Sequence, residues 1–147
     1  MKAKEALNLN MVLGGLKSLS NVESSIRVNI VKNIIKLKKV SDELNEVMQT
    51  AREKVKPEGY DELVQKAEKH NEAVSKGEEK VMTEEEITLL NLKTNKFNVE
   101  LEKVLNEFEK KDYELEMNSI TEEAFDILSK DNDLSATQCT VLYSLVK

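Results

Sequence analysis

The hydrophobic positions of this chain recur mainly with the period of an α-helix. Between residues 22 and 55, one series alternates spacings of four and three and is interrupted only by a serine: Ile30, Ile34, Leu37, Ser41, Leu44, Met48, Ala51 and Val55. A second such series follows Thr83-Glu84-Glu85-Glu86, which has capping-box spacing, and runs to Phe108. Because these spacings place the apolar side chains on one side of a helix, the sequence predicts two long helices paired in an antiparallel, coiled-coil-like hairpin.

Shorter elements flank the predicted hairpin. Residues 3–17 predict a short N-terminal helix, and Ser20-Asn21-Val22-Glu23 has capping-box spacing that places the start of the first long helix near Ser20. Alternating apolar and polar residues at 113–118 predict a short extended segment. Two short helices are expected afterwards, near residues 121–129 and from Ser135 onward. We expect these C-terminal pieces to form a small cap.

The region between the two long helices is polar. Lys56-Pro57-Glu58-Gly59 predicts the end of the first long helix, since proline disfavours a helical residue before it. The apolar side chains of residues 57–82 are few and small, so we expect a marginal helix or a mobile connector there. The prediction for residues 1–147 is therefore a single, mostly α-helical domain.

Composition supports this fold class and adds a charge asymmetry. Charged residues make up 34% of the chain and aromatic residues only 4%, a balance that favours helices over strands. The net charge is −6, yet residues 1–56 carry 11 basic and 6 acidic residues, whereas residues 57–147 carry 11 and 22. Either the basic half packs against the acidic half, or the basic half binds an outside partner such as nucleic acid or an acidic protein surface. No apolar stretch is long enough to span a membrane, so we expect a soluble, cytoplasmic protein.

Residues with catalytic or metal-binding chemistry are scattered along the chain. His70 is the only histidine and is expected to be solvent-exposed, whereas the single cysteine, Cys139, is expected to be buried in the last helix. Asp131-Asn132-Asp133 lacks the later glycine and glutamate of a calcium loop and is interpreted as a turn. The sequence therefore predicts no catalytic residue, metal ligand or cofactor site, and a protein that is not an enzyme.

Two surfaces of the first long helix are candidates for interaction. The first is apolar and comprises Ile26, Ile30, Ile34, Leu37 and Leu44. Its beginning is widened by Val28, Val31 and Ile35, so we expect that end to face the C-terminal cap or another subunit. The second is a basic stripe of Lys32, Lys36 and Lys39, whose spacing of four and three could meet phosphates. No aromatic residues interleave with it, so a solvated or acid-paired face is favoured over nucleic-acid binding.

The order of these pieces resembles a family of small helical proteins, of unknown function, encoded by tailed bacteriophages and prophages. The matching segments are Ala6-Leu7-Asn8, Leu13-Gly14-Gly15-Leu16, Lys32-Asn33-Ile34-Ile35-Lys36-Leu37, residues 113–120 and Leu134-Ser135-Ala136-Thr137-Gln138. The resemblance covers roughly residues 3–55 and 97–147, and residues 57–82 have no counterpart in it. It implies a phage origin, and with it a location in the host cytoplasm or in a virion, and it transfers no functional residues.

These features lead to one functional expectation and one alternative. We expect a non-enzymatic phage protein that acts by protein–protein contact, as a virion structural or assembly component, and that forms a homo-oligomer or binds another phage or host protein. The alternative is a small host-directed accessory protein that inhibits or sequesters a bacterial enzyme or defence component.

Overall fold

The computed structural model describes all residues from Met1 to Lys147, and it confirms a mostly helical fold. The six helices are α1 (Ala3–Gly14), α2 (Ser24–Val55), α3 (Tyr60–Ser75), α4 (Glu84–Glu109), α5 (Glu122–Asp131) and α6 (Ala136–Tyr143). The only β-type pairing is in two isolated bridges. No helix has the length and apolar character required to cross a membrane.

The chain divides into two compact units. The first comprises residues 1–46 and 107–147, and the second comprises residues 47–106. The helices α2 and α4 each contribute one part to each unit, and the antiparallel pairing of these two helices stays a prediction.

The core of the first unit is built from small and branched apolar side chains. In α1, residues at helical spacings of three and four point inward, and α1 packs against α6. The buried apolar residues of this unit are Ala3, Ala6, Leu9, Val12, Leu13, Val22, Ile26, Ile30, Leu37, Val40, Phe108, Ile120, Ala124, Leu128, Leu142 and Leu145. This core joins all three short helices of the unit to the first half of α2.

The start of α2 differs from the prediction. The helix begins at Ser24 rather than near Ser20, and the Ser20 hydroxyl lies 3.0 Å from that of Ser18 instead of capping a helix. The cause is a contact with a residue distant in sequence. The side chain of Asn132, at the end of α5, accepts hydrogen bonds from the N–H groups of Lys17 and Ser18 at 2.7 and 2.8 Å and donates one to the Ser18 carbonyl. These bonds, together with the bond that the Asn21 amide donates to the Asp131 carboxylate at 2.8 Å, hold the chain on both sides of Ser20 in a loop, so the helix begins later than the local motif predicts.

The predicted extended segment is present between α4 and α5, and side chains of α2 hold it in place. Asn29, Asn33 and Lys36 project from one side of α2 at spacings of four and three. Asn29 and Lys36 donate hydrogen bonds to the backbone carbonyls of residues 119 and 116, and Asn33 bonds Asn118. Because backbone N–H and C=O groups need partners when they are removed from water, these polar side chains take the place of a neighbouring strand.

The two C-terminal helices begin as the sequence predicts. Thr121 caps α5 by accepting a hydrogen bond from the N–H of Ala124 at 3.1 Å. At α6, Ser135 and Gln138 form the predicted reciprocal capping box. Between the helices, Asp133 adopts a left-handed conformation with φ of 50°, so the Asp131-Asn132-Asp133 segment forms the predicted turn at the end of α5.

In the second unit, α3 corrects the prediction of a marginal helix or mobile connector. It is a 16-residue helix that runs antiparallel to α4, with the ring of Tyr60 5.3 Å from that of Phe97 and the Lys66 ammonium paired with Glu86. Gly59 precedes α3 with φ of 71°, a conformation that glycine adopts without steric cost. Two aromatic side chains and specific polar contacts thus compensate for the small number of apolar residues.

Candidate protein-interaction surface

The predicted apolar interaction surface lies largely inside the chain. Ile26, Ile30 and Leu37 are at most 7% exposed, and Ile34 and Leu44 are half-buried. Ile26, Ile30 and Leu37 therefore serve the packing of the chain, and the five residues do not form a continuous open surface, contrary to the sequence-based prediction. At the start of α2, Ile26 lines a cavity of about 160 Å³ together with Ala124 and Ile127 of α5. Val28, Val31 and Ile35, which widen that end of the helix, are exposed and do not line it.

The opposite side of α2 carries apolar residues that nothing in the first unit covers. Val28, Val31 and Ile35 are 47%, 49% and 60% exposed, and their spacings of three and four align them on one side of the helix. We call these three residues the α2 apolar strip. With about 100° of rotation per residue, the strip lies about 145° from the buried line through Ile30 and Leu37. No rotation of α2 could therefore bury both sides against the same core.

Four cations border the α2 apolar strip. Arg27 and Lys38 lie on one side of it and Lys32 and Lys39 on the other, as the helical period requires. All four are exposed, and none belongs to any of the seven ion pairs of the chain. An open depression of about 240 Å³ lies between the two kinds of side chain, lined by Ser24, Arg27, Val28, Val31 and Lys32. The surface thus combines apolar contact area with unpaired positive charge.

The structure divides the predicted basic stripe. Lys36 is half-buried and its ammonium donates a hydrogen bond to the Glu116 carbonyl, so it is committed to the extended segment. Lys32 and Lys39, on the neighbouring part of the helix surface, remain exposed. The three lysines therefore do not form a continuous free stripe, and the unpaired cations of α2 surround apolar side chains instead.

A second exposed apolar strip lies on α4 in the other unit, and the sequence analysis missed it. Leu89 and Leu92 are 45% and 62% exposed and line a depression of about 430 Å³ with Glu84, Glu85 and Thr88. We call Leu89 and Leu92 the α4 apolar strip. Its signal in the sequence is two leucines that fall outside the heptad series of α4.

The two acids beside the α4 apolar strip are exposed and unpaired. Glu84 and Glu85 take part in none of the ion pairs, whereas the next residue, Glu86, pairs with Lys66. Further along α4, Lys96 lies in line with the strip, and Val99 beyond it is 50% exposed. The unpaired acids that border the α4 apolar strip are therefore those of the first turn of α4.

The side chains of His70 and Cys139 both contact backbone groups within the fold. His70 is only 9% exposed, contrary to the prediction of a solvent-exposed residue, because its Nδ1 accepts hydrogen bonds from the N–H groups of Val81 and Met82 at 3.2 and 3.0 Å. Cys139 is half-buried, and its thiol lies 3.7 Å from the carbonyl of Leu134. No group of three or more His, Cys, Asp or Glu side chains is arranged to hold a metal ion.

One group of titratable side chains joins α2 to the segment after α4. The Glu43 carboxylate accepts hydrogen bonds from the Lys111 ammonium at 2.9 Å and from the Tyr113 hydroxyl at 2.7 Å. The bonds from Lys111 and Tyr113 lower the pKa of Glu43. Burial of the Tyr113 phenol and its hydrogen bond to Glu43 raise the pKa of that phenol to about 12. The group stabilises the fold around the extended segment.

Comparisons with known proteins identify no relative of this chain. No protein-family model, curated protein or solved structure matches the chain. The resemblance to a phage protein family therefore rests on the sequence segments alone, and the functional argument rests on the two exposed strips.

Proposed function

We propose that this chain is a non-enzymatic protein that acts by binding protein, as a structural or assembly component of a phage particle. The observation that carries the proposal is the α2 apolar strip, with Val28, Val31 and Ile35 exposed between four unpaired cations. A single exposed apolar side chain is ordinary, but an aligned group bordered by charge is typical of an interaction surface. The phage origin comes from the sequence resemblance.

The mixture of side chains favours a protein partner over a nucleic acid. Phosphates would pair with Arg27 and Lys32, but burying Val31 and Ile35 requires apolar groups that a nucleic-acid backbone does not offer. The surface also has no aromatic residue on which a base could stack. The partner surface that fits is apolar at its centre and acidic at its edge.

Site-specific photo-crosslinking in cells that produce phage particles tests the proposal. Val31 is replaced by p-benzoylphenylalanine in one variant, and exposed Asn45, on the same helix, is replaced in the matched control. We expect position 31 to crosslink to a phage-encoded protein or to a second copy of this chain, and position 45 to give no such product. We also expect Val31→Asp/Ile35→Asp to remove the protein from purified particles while Asn45→Asp leaves it there.

Two results would contradict the proposal. Equal crosslinking at positions 31 and 45 would mean that the α2 apolar strip is not a binding surface. A crosslink from position 31 to a host enzyme or defence protein, with none of the chain in purified particles, would support the host-directed accessory protein instead.

A further inference from the structure

The two exposed strips are complementary in charge. Between residues 24 and 41, α2 carries five basic residues and no acidic one, and four of the five are unpaired around the α2 apolar strip. The α4 apolar strip begins beside Glu84 and Glu85, which are also unpaired. Each strip therefore has an apolar centre and an uncompensated charge, with opposite signs.

The α4 apolar strip is as long as the α2 apolar strip only when the acid before it is included. The α2 apolar strip extends over seven residue steps, from Val28 to Ile35; Leu89 and Leu92 are three steps apart, and the line from Glu85 to Leu92 extends over seven. At 1.5 Å per residue, seven steps are about 10 Å long. Two such strips can lie along each other and bring the leucines of one against the valines and isoleucine of the other, with Glu84 and Glu85 near the cations.

We propose that the partner of the α2 apolar strip is the α4 apolar strip of a second copy of this chain. This inference rests on the proposed function and names the partner of that same surface. Contact between two α2 strips would bring Arg27 and Lys32 against their own copies, and contact between two α4 strips would do the same with Glu84 and Glu85. Like charges at close range oppose both arrangements, so the contact between α2 of one copy and α4 of another is the favoured one.

Such a contact is heterologous, because it joins two different surfaces. An open assembly keeps one unused α2 strip at one end and one unused α4 strip at the other, so copies add in series until a ring closes or the concentration limits growth. The mass of the assembly then rises with concentration rather than stopping at a dimer. Because the charged pairs are exposed, association weakens as salt is added.

Light scattering of two surface variants, alone and mixed, tests this arrangement. The α2 variant is Val31→Asp/Ile35→Asp, and the α4 variant is Leu89→Lys/Leu92→Lys; all four positions are exposed, so far-UV circular dichroism should match that of the wild type. We expect each variant alone to associate about tenfold or more weakly than wild type, since a charge replaces apolar contact area. The equimolar mixture should form a complex of twice the 16.7 kDa chain mass, because the α4 variant supplies an intact α2 strip and the α2 variant an intact α4 strip.

Charge reversal provides a second, independent readout. Arg27→Glu/Lys32→Glu and Glu84→Lys/Glu85→Lys should each weaken self-association, and a chain that carries all four substitutions should recover it. Rescue requires that the two groups face each other across the contact, so a general loss of solubility or folding would not produce it.

Three outcomes would overturn the inference. Wild-type protein that remains monomeric at millimolar concentration has no such contact. An α4 variant that self-associates as well as wild type would place the contact between two α2 strips. A mixture of the α2 and α4 variants that stays monomeric would exclude the heterologous arrangement. The crosslinks from position 31 distinguish a wrong partner from a wrong function. A crosslink to another phage protein would exclude self-association through α2 but would still support protein binding by the α2 apolar strip.

Discussion

Asn33 is the side chain on which the packing of the extended segment against α2 depends most. It is completely buried, its amide donates to the Asn118 carbonyl at 2.8 Å, and its Oδ1 accepts from the Asn118 backbone N–H at 2.8 Å. The substitution Asn33→Ala removes both of these hydrogen bonds and leaves the backbone N–H and C=O of Asn118 without those partners. We therefore expect the first unit to be destabilised while the second unit is unaffected.

The magnitude follows from the burial of the groups involved. A buried polar group left without a partner costs about 1–3 kcal/mol. Asn118 is only half-buried, so water can reach part of it, and the lower end of that range applies to each of its two backbone groups. Adding about 1 kcal/mol for the cavity left by the side chain gives a loss of about 3 kcal/mol in the free energy of unfolding. Asn29→Ala is the matched control, because half-buried Asn29 donates a single hydrogen bond to the Ser119 carbonyl and should cost about 1 kcal/mol or less.

The assay combines urea unfolding, followed by far-UV circular dichroism, with amide hydrogen exchange. Exchange at the N–H of Asn118 reports on the first unit alone, and it should accelerate strongly in Asn33→Ala and only slightly in Asn29→Ala. If both variants lose the same small free energy and the Asn118 amide exchanges as in the wild type, the bonds to Asn33 do not hold the segment and the reasoning is wrong.

Two further substitutions test other buried polar contacts. His70→Ala should lower the free energy of unfolding of the second unit by about 2–3 kcal/mol, because two backbone N–H groups, including that of buried Met82, lose their acceptor; Asn71→Ala, on the exposed side of α3, is the control in the same urea titration. Tyr113 has a pKa of about 12 in the folded state against 10.0 for an ordinary tyrosine, so the stabilisation it provides is complete below pH 10 and is lost as the pH rises towards 12. The difference in free energy of unfolding between wild type and Tyr113→Phe should accordingly shrink over that pH range, and a constant difference would mean that the hydrogen bond to Glu43 does not favour the neutral phenol.

Local sequence motifs predicted helix starts correctly where no distant residue competed for the backbone. The capping-box spacing occurs at Ser20, Thr83 and Ser135. Helices begin directly after Thr83 and Ser135, where the cap accepts a hydrogen bond from the N–H three residues later, but not after Ser20. The difference arises from Asn132, which lies more than a hundred residues away and binds the backbone just before Ser20. No local motif contains that information.

The helix α3 shows a second limit of pattern counting. Its few apolar residues predict little stability, yet the helix is fixed by aromatic contact between Tyr60 and Phe97 and by the hydrogen bonds of His70. Both contacts join residues from different elements. Periodicity describes which side of a helix is apolar, whereas these contacts depend on which elements meet, so the sequence alone could not reveal them.

The same limit explains why apolar spacing predicts a different side of α2 from the one that is exposed. From Ile30 to Leu37, spacings of three and four are satisfied equally by a line through Asn33 and by one through Ile34, and apolar character favours Ile34. The structure buries Asn33 because the extended segment needs hydrogen-bonding partners there. With Asn33 buried, α2 is oriented so that Val31 and Ile35 face outward. The exposed apolar strip is therefore a direct consequence of the buried asparagine, and the interior contact with Asn118 and the proposed contact with a second copy depend on the same orientation of α2.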